Sequence, residues 1–322
     1  MSDAPSKTLT DAHCHLAALP TKDNGCLLST RMKNGLVART VALRLGLPMD
    51  DPEEANRRYR ARLASSLAAS AYVSRAVTLA MDGVYGADGR LDEARTDFLI
   101  SNDYVLAIAE ENKSFLPGVS VNPNRRDALD ELGRCAARGA ALVKLLPNAQ
   151  VFDPGDPKHR PFWRELAKLG LPLLSHIGFE FSLIGQDQSV GNPERLIPAL
   201  EEGATVIAAH GCSRGLVLGE PHFQTMLDMV RKFPRFYVDS SALTLPNRFG
   251  MLLKLRGCAE LRPRLLFGTD YPLPVWAFPA LAGGPGAYLR AKRTANPFDR
   301  QFLVQKALGL EPAADFASLL RK

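Results

Sequence analysis

Eight short apolar runs, at residues 8–13, 73–80, 115–121, 140–146, 171–176, 204–210, 235–240 and 264–269, recur along this chain of 322 residues. Most are continuous rather than alternating, as in ALVKLL, LPLLSH and ATVIAAH. A strand with water on one face alternates apolar and polar residues, whereas one covered on both faces does not, so the pattern predicts parallel strands sandwiched by helices. The intervening stretches RRDALDELGRCAARG, PFWRELAKLG, PERLIPALEEG and PHFQTMLDMVRKFP are amphipathic, and several end in Gly, a helix stop. Eight strands alternating with helices fit either a closed (β/α)8 barrel or an open doubly wound sheet. An open sheet gathers its ligand groups at a topological switch point. Here polar residues end almost every run: His13 and His15, Asp82, Asn122, Lys144, His176, His210, Asp239 and Asp270. No GxGxxG follows the first run. The expected fold is therefore α/β, a (β/α)8 TIM barrel.

Residues 16–70 are too long for a simple strand-to-helix loop. They contain GCLLST, the apolar and basic segment LVARTVALRLGLP, and a predicted helix over 53–70. We read them as a helical insertion after strand 1, capping the barrel mouth of a single domain over residues 1–322. The Gly-, Pro- and Asp-rich stretches 146–160 and 177–192 are expected to wall the pocket.

Composition narrows the partners. The net charge of +6 is spread along the chain, with no basic arm and no aromatic–basic alternation, which argues against nucleic acid. No run approaches the roughly 18 apolar residues of a membrane span. The leading residues MSDAPSKTLTDAHCH carry no signal-like apolar region, and the cysteines at 14, 26, 135, 212 and 258 form no CxxC pair. Free thiols and a cytoplasmic location are expected. The expected partner is a small-molecule substrate; residues 36–48 can either pack on a second subunit, giving a homo-oligomer, or equally close over their own barrel.

Alternate residues of a strand face one side, so the His13-x-His15 pair directs both imidazoles into the barrel, where they can bind one divalent cation. His176 and Asp270 end two further runs at the same level. An isolated Asp before a Tyr-Pro reads as a cap or turn former. Together with strand-end histidines it reads as part of a metal-centred site. His210 is either a further ligand or a base. His159 and His222, at helix starts, are assigned structural or solvated roles. Arg125, Arg126, Lys144, Arg214 and Arg248 are candidates for holding a substrate carboxylate. Phe152, Phe179, Phe181, Tyr271 and Trp276 are candidates for lining an apolar pocket, and Asn122 and Asp239 for orienting ligands.

Taken in order and at these separations, DAHCHL, ALVKLLP, LPLLSHIG, VIAAHG and FGTDYP resemble the amidohydrolase superfamily. They are most similar to its amidohydrolase-related branch, which includes aminocarboxymuconate-semialdehyde decarboxylase-like enzymes. The resemblance runs from about residue 8 to 310. It implies a distorted TIM barrel in which His13, His15, His176 and Asp270 hold a metal and His210 serves proton transfer. In two-metal relatives the histidine equivalent to His210 binds a second ion, bridged by a carboxylated lysine at the position of Lys144; otherwise Lys144 holds a substrate carboxylate. One zinc ion is the expectation, two the alternative. The implied activity is hydrolysis of an amide, ester or lactone carbonyl, with Asp270 taking the proton of the attacking water. The alternative is non-oxidative decarboxylation of an aromatic or enoate acid on the same site. Arg214, Arg248 and Tyr271 are the remaining candidates for substrate contact.

Overall fold

The structure is a computed structural model that describes residues 8–217 and 219–320; residues 1–7, part of the leading stretch expected to carry no signal-like region, lie outside the described residues. Eight parallel strands follow one another around a nearly closed barrel: β1 (Leu9–His15), β2 (Val73–Leu79), β3 (Phe115–Val119), β4 (Leu142–Leu145), β5 (Leu173–Ser175), β6 (Val206–Ala208), β7 (Phe236–Asp239) and β8 (Leu265–Leu266). They occupy the eight apolar runs of the sequence. Backbone hydrogen bonds from Ala12 N to Phe267 O (2.9 Å), Asp270 N to His13 O (2.9 Å) and His15 N to Tyr271 O (2.8 Å) join the last strand to the first.

Alternation along these strands divides the apolar side chains in two. Ala12, Val77, Leu142, Leu174, Ile207 and Leu266 meet inside the barrel, joined by Phe316 from the C-terminal turn. Their neighbours Val143, Leu173, Val206 and Val238 face outward. There they pack on the helices that follow the strands, including Ala128–Ala137, Arg160–Leu169 and His222–Lys232 through Leu132, Trp163 and Met226. Each of these helices falls within an amphipathic stretch noted in the sequence. Strand β1 breaks the strict period. Its register slips between Asp11 and Cys14 relative to β2, a bulge. The bulge lets Ala12 contribute to the interior floor while His13 and His15 point inward above it and Cys14 packs outside with Phe267 and Tyr271. All five cysteines are free, and no helix among the described residues is long and apolar enough to cross a membrane.

The segment after β1 forms α1 (Thr30–Lys33), α2 (Leu36–Leu45) and α3 (Pro52–Ala69). Helix α3 starts with Pro52 in its first turn and Asp51 accepting from Glu54 N, two standard start devices. Its buried residues Ala55, Tyr59, Leu63 and Leu67 recur every fourth position, the stripe of a helix laid on a core. Two polar groups on that stripe fix the chain leaving β1. The Asn56 side chain accepts from Leu19 N (2.7 Å) and donates to Leu19 O (2.9 Å), while the Tyr59 hydroxyl donates to His15 O (2.7 Å). A two-stranded ribbon, Leu27–Leu28 with Phe98–Leu99, ties the segment to the chain beyond β2.

Asn56→Ala leaves the buried Leu19 N–H without a partner, while Leu19 O keeps the Asn24 Nδ2 bond (2.8 Å), and is expected to cost about 2 kcal/mol, against about 1 kcal/mol for Tyr59→Phe, which loses one hydrogen bond. Urea unfolding of the two variants beside the native chain measures the difference.

Candidate functional site

The polar residues that end the strands converge at the carboxyl mouth of the barrel. His13 and His15 come from β1, and Lys144 from the interior face of β4, one alternation above Leu142. His176 follows β5, His210 follows β6, Asp239 ends β7, and Asp270 follows β8. His210 (φ 58°) and Asp270 (φ 64°) are both held in the left-handed backbone region, as are Cys212 (φ 60°) and Ala242 (φ 56°) nearby. That conformation is unfavourable for residues with a Cβ, so surrounding contacts must impose it. For His210 the contact is its own N–H donating to Asp239 Oδ1 (2.9 Å); for Asp270 it is N–H to His13 O (2.9 Å).

Three side-chain atoms form a tight triangle. His13 Nε2 lies 3.2 Å from His15 Nε2 and 3.4 Å from Asp270 Oδ1, and His15 Nε2 lies 3.1 Å from that same oxygen. A tetrahedral centre with bonds of about 2.0–2.1 Å has edges of about 3.3–3.4 Å, so the triangle has the dimensions of one face of such a centre. Donor atoms of His13, His210 and Asp270 also lie within 4.8 Å of one another. His176 adds a buried Nε2 with no hydrogen-bond partner.

Hydrogen bonds beneath the triangle decide which ring nitrogens carry protons. His13 Nδ1 sits 2.7 Å from Asp239 Oδ2. An ionised carboxylate only accepts, so Nδ1 bears the proton and Nε2 presents its lone pair. Asp239 stays ionised: burial pushes its carboxyl up, but His13, hydrogen bonds from Ser241 and the His210 N–H together bring it below the usual value. His210 Nδ1 donates towards Ser241, with Ser241 Oγ at 2.9 Å and Ser241 O at 3.2 Å. Its Nε2 lies 3.1 Å from His176 Nδ1, which also faces Glu180 Oε2 at 3.4 Å.

Electrostatics sharpen these roles. Burial, followed by the Arg248 cation, pushes His176 and His210 well below the ordinary imidazole range; burial and Lys144 lower His13. Each shift favours the neutral ring, the form with a lone pair to offer. Burial alone would raise Asp270, but His13, His15 and His210 outweigh it and hold the carboxyl well below its usual value. Burial brings Lys144 down to about 8, and its Nζ lies 3.3 Å from His13 Nε2, beneath the triangle.

Above this floor lies a cleft roofed by α1–α3 and the segment after β1. His15, His176, His210 and Asp270 form its polar end, with Glu180, Ser182, Asn56 and the Tyr59 hydroxyl as the other polar groups in the lining. The rest is apolar and includes Leu28, Met32, Val37, Val41, Leu47 and Met49.

Several sequence expectations find different addresses. Arg214, Arg248 and Tyr271 stand outside the lining. The exposed Arg214 lies over the Phe179 ring at 5.2 Å. Arg248 is buried and donates to Ser213 O and Phe179 O, both at 3.0 Å. Tyr271 is buried between Tyr59 and Phe298 on the outer side of β1. Arg125 turns to Asp127 (2.9 Å) and Asp82 (3.5 Å), and with Arg126 it lines a separate hollow beside Lys158 and His159. Of the aromatic candidates, Phe152 is in the core and Phe181 and Trp276 are exposed; none of the five lines the cleft. His159 is buried and structural, while Asn122 binds the loop groups Gly83 O and Gln150 O (2.9 Å each) rather than a site residue.

Other contributors escaped the sequence reading. Ser241 bridges His13 Nδ1 (3.0 Å), His210 and Asp239; Glu180 lines the cleft. Asp11, two residues before His13, accepts from His13 N (2.9 Å) and Thr269 Oγ1 (2.5 Å) and is pushed up to about 7 by burial. The signal for Asp11 was an acidic residue within a strand that is otherwise buried. Glu180 carried no such mark, because FEFSL reads as an ordinary loop.

Comparison with known proteins agrees with this architecture. No curated protein matches the chain. Among solved structures, an uncharacterized TIM-barrel protein from Bordetella bronchiseptica superposes with a TM-score of 0.65 at 17% identity, covering 97% of each chain. 5-Carboxyvanillate decarboxylase from Sphingomonas paucimobilis gives 0.56 at 13% identity over 98% of this chain and 99% of that one. A probable 2-pyrone-4,6-dicarboxylic acid hydrolase from Acinetobacter baumannii gives 0.55 at 13% identity over 94% and 92%. At such identities the likeness establishes the shared barrel. The amidohydrolase family model matches residues 10–280, most of the chain and every strand-end residue described above. The chain belongs to the amidohydrolase family.

Proposed function

We propose that this chain is a metal-dependent hydrolase that activates water for attack on an amide, ester or lactone carbonyl, with residues 16–70 acting as the cap of a single barrel domain. The observation that carries the reading is the His13–His15–Asp270 triangle, whose 3.1–3.4 Å edges suit a four-coordinate cation. The donor chemistry fits as well: Asp239 fixes the His13 tautomer, and the unpartnered Nε2 of buried His176 is a ready fourth donor. His13, His15 and His176 would hold the ion through Nε2 and Asp270 through Oδ1. Zinc suits this imidazole–carboxylate set, and when bound it supplies a Lewis acid that polarises the carbonyl and acidifies water. We favour one ion, with Lys144 beneath the triangle as an uncarboxylated lysine.

Asp270 then works as the proton carrier. Its histidine neighbours keep it ionised, so it is a ready acceptor for the proton of the attacking water. Once the tetrahedral species collapses, the same carboxyl delivers that proton to the leaving group. His210, with Nδ1 3.9 Å from Asp270 Oδ2, is the second group in this transfer. Ser241 and Asp239 hold its ring and backbone in place.

Decarboxylation on the same groups requires an acid as substrate. Among the described residues no lysine or arginine lines the cleft to receive one, which favours hydrolysis. Incubation with a panel of esters, lactones and aromatic acids, read for hydrolytic products and for released CO₂, separates the two.

Asp270→Asn should lower kcat by about 10²–10⁴-fold, and His13→Ala should lose both metal and turnover, with the native circular dichroism kept in each. Native activity in either variant, or in chelator-stripped protein, contradicts the reading. Asp239→Asn is expected to weaken the ion by about 10–100-fold, because the His13 tautomer is no longer imposed. Metal retained after dialysis against graded chelator measures it.

A further inference from the structure

We infer that the substrate carries an uncharged hydrocarbon group on the acyl side of its scissile carbonyl, and that the insertion after β1 is the device that selects it. The inference rests on the hydrolase reading for the identity of the reacting end and on the cleft alone for the rest.

The site and the cleft have opposite characters. The polar groups, His15, His176, His210, Asp270 and Glu180, gather at one end. Away from them the walls are mainly aliphatic, with Phe98 and Tyr59 as aromatic members and Asn56 and Ser182 as polar ones. Helix α2 presents Val37 and Val41, α1 presents Met32, the two-stranded ribbon presents Leu28, and Leu47 and Met49 come from the chain between α2 and α3. Val37 and Val41 lie one helical turn apart, so their side chains share one face of α2. Three methionines, Met32, Met49 and Met81, line the same space, giving a wall that adapts to flexible chains.

Charge points the same way. The acidic groups in the lining are Glu180 and Asp270, and among the described residues no lysine or arginine lines it. A substrate carboxylate reaching into the aliphatic part would leave water without a partner there, a costly transfer. The cations expected to receive one are engaged elsewhere: Arg125 with Asp127 and Asp82, Arg248 with two backbone carbonyls, and Lys144 beneath the lining against His13. An alkyl group gains burial in the same place, at about threefold to fourfold in affinity per methylene.

Two measurements on the zinc-loaded full chain test this. The first compares kcat/KM for 4-nitrophenyl butanoate, hexanoate and octanoate with that for the 4-nitrophenyl monoester of hexanedioic acid. The expected result is a rise of about threefold to fourfold per methylene along the neutral series. The acid-ended ester should fall at least about tenfold below hexanoate. The second is independent of turnover: calorimetric binding of 1-octanol against 8-hydroxyoctanoate, of equal length. Preferential binding of octanol with no ester cleaved removes the hydrolase reading and leaves the cleft assignment standing. Equal binding, preference for the carboxylate, or no binding of octanol overturns the assignment. Val41→Arg, a change on the partly exposed wall of α2, should shift the ratio of the two affinities towards the carboxylate by about tenfold or more. An unchanged ratio in a variant with native circular dichroism removes α2 from the selecting wall.

Discussion

Asp239 sits at the end of β7 with no exposure to solvent, and three strand ends meet on its carboxylate. Oδ2 takes the His13 ring from β1, and Oδ1 takes the His210 backbone N–H after β6 together with the N–H and hydroxyl of Ser241. A buried charge is costly unless every lone pair is used, and here each oxygen is. The same bonds have chemical consequences. They place the proton of His13 on Nδ1, so that its free lone pair points up into the mouth. They also help hold His210 in a left-handed backbone conformation worth roughly 1–3 kcal/mol of strain. The position of two site imidazoles is thus dictated from below by one acidic side chain.

The remaining strand ends divide by role around the barrel. After β2 and β3, polar groups organise loops: Asp82 accepts from Asn122 N (2.8 Å) and Gly83 N (2.8 Å), and Asn122 donates to Gly83 O and Gln150 O. Gln150 in turn donates to Ser120 Oγ (3.1 Å) and accepts from Leu146 N (2.7 Å). This network consumes its donors internally and is a scaffold. The ends of β1, β5 and β8 leave atoms uncommitted or facing one another, above all His176 Nε2 and the His13–His15–Asp270 triangle. Uncommitted polar atoms in a buried site are the ones available for chemistry.

The parts legible in the sequence are those governed by chain periodicity. Continuous apolar runs gave the eight strands, and the polar residue ending each run gave His13, His15, His176, His210 and Asp270 as neighbours in space. Direction at the level of single loops was not legible. Arg125, Arg214 and Arg248 all follow strands at the same mouth, yet each turns to a local partner, because a long flexible side chain goes wherever its nearest acceptor lies. The bulge in β1 was hidden as well. Strict alternation would put Ala12 and His13 on opposite faces, and only the slipped pairing with β2 allows the interior floor and the inward imidazoles to coexist. A cap over the mouth was expected from the length of residues 16–70, but the spacing of Met32, Val37 and Val41 carries no record of which side chains face the cleft.

That roof and the polar floor act on each other. In a cleft walled by Leu, Val and Met side chains, fewer waters screen the floor, and each interaction among Asp270, His13, His15 and His210 is stronger than it is at a wet surface. The effect has two signs. It raises the cost of a lone carboxylate, which is why burial alone pushes Asp270 up, and it magnifies the attraction of the imidazoles that bring the group back down. The balance leaves Asp270 ionised because several partners surround it at once, each supplied by a different strand. An apolar lid over a site of this kind therefore strengthens the polar arrangement beneath it, provided the barrel holds every partner in register. The pinning of the chain after β1 by Asn56 and Tyr59 joins the lid to that register, since the same residue, His15, contributes its carbonyl to the anchor and its ring to the site.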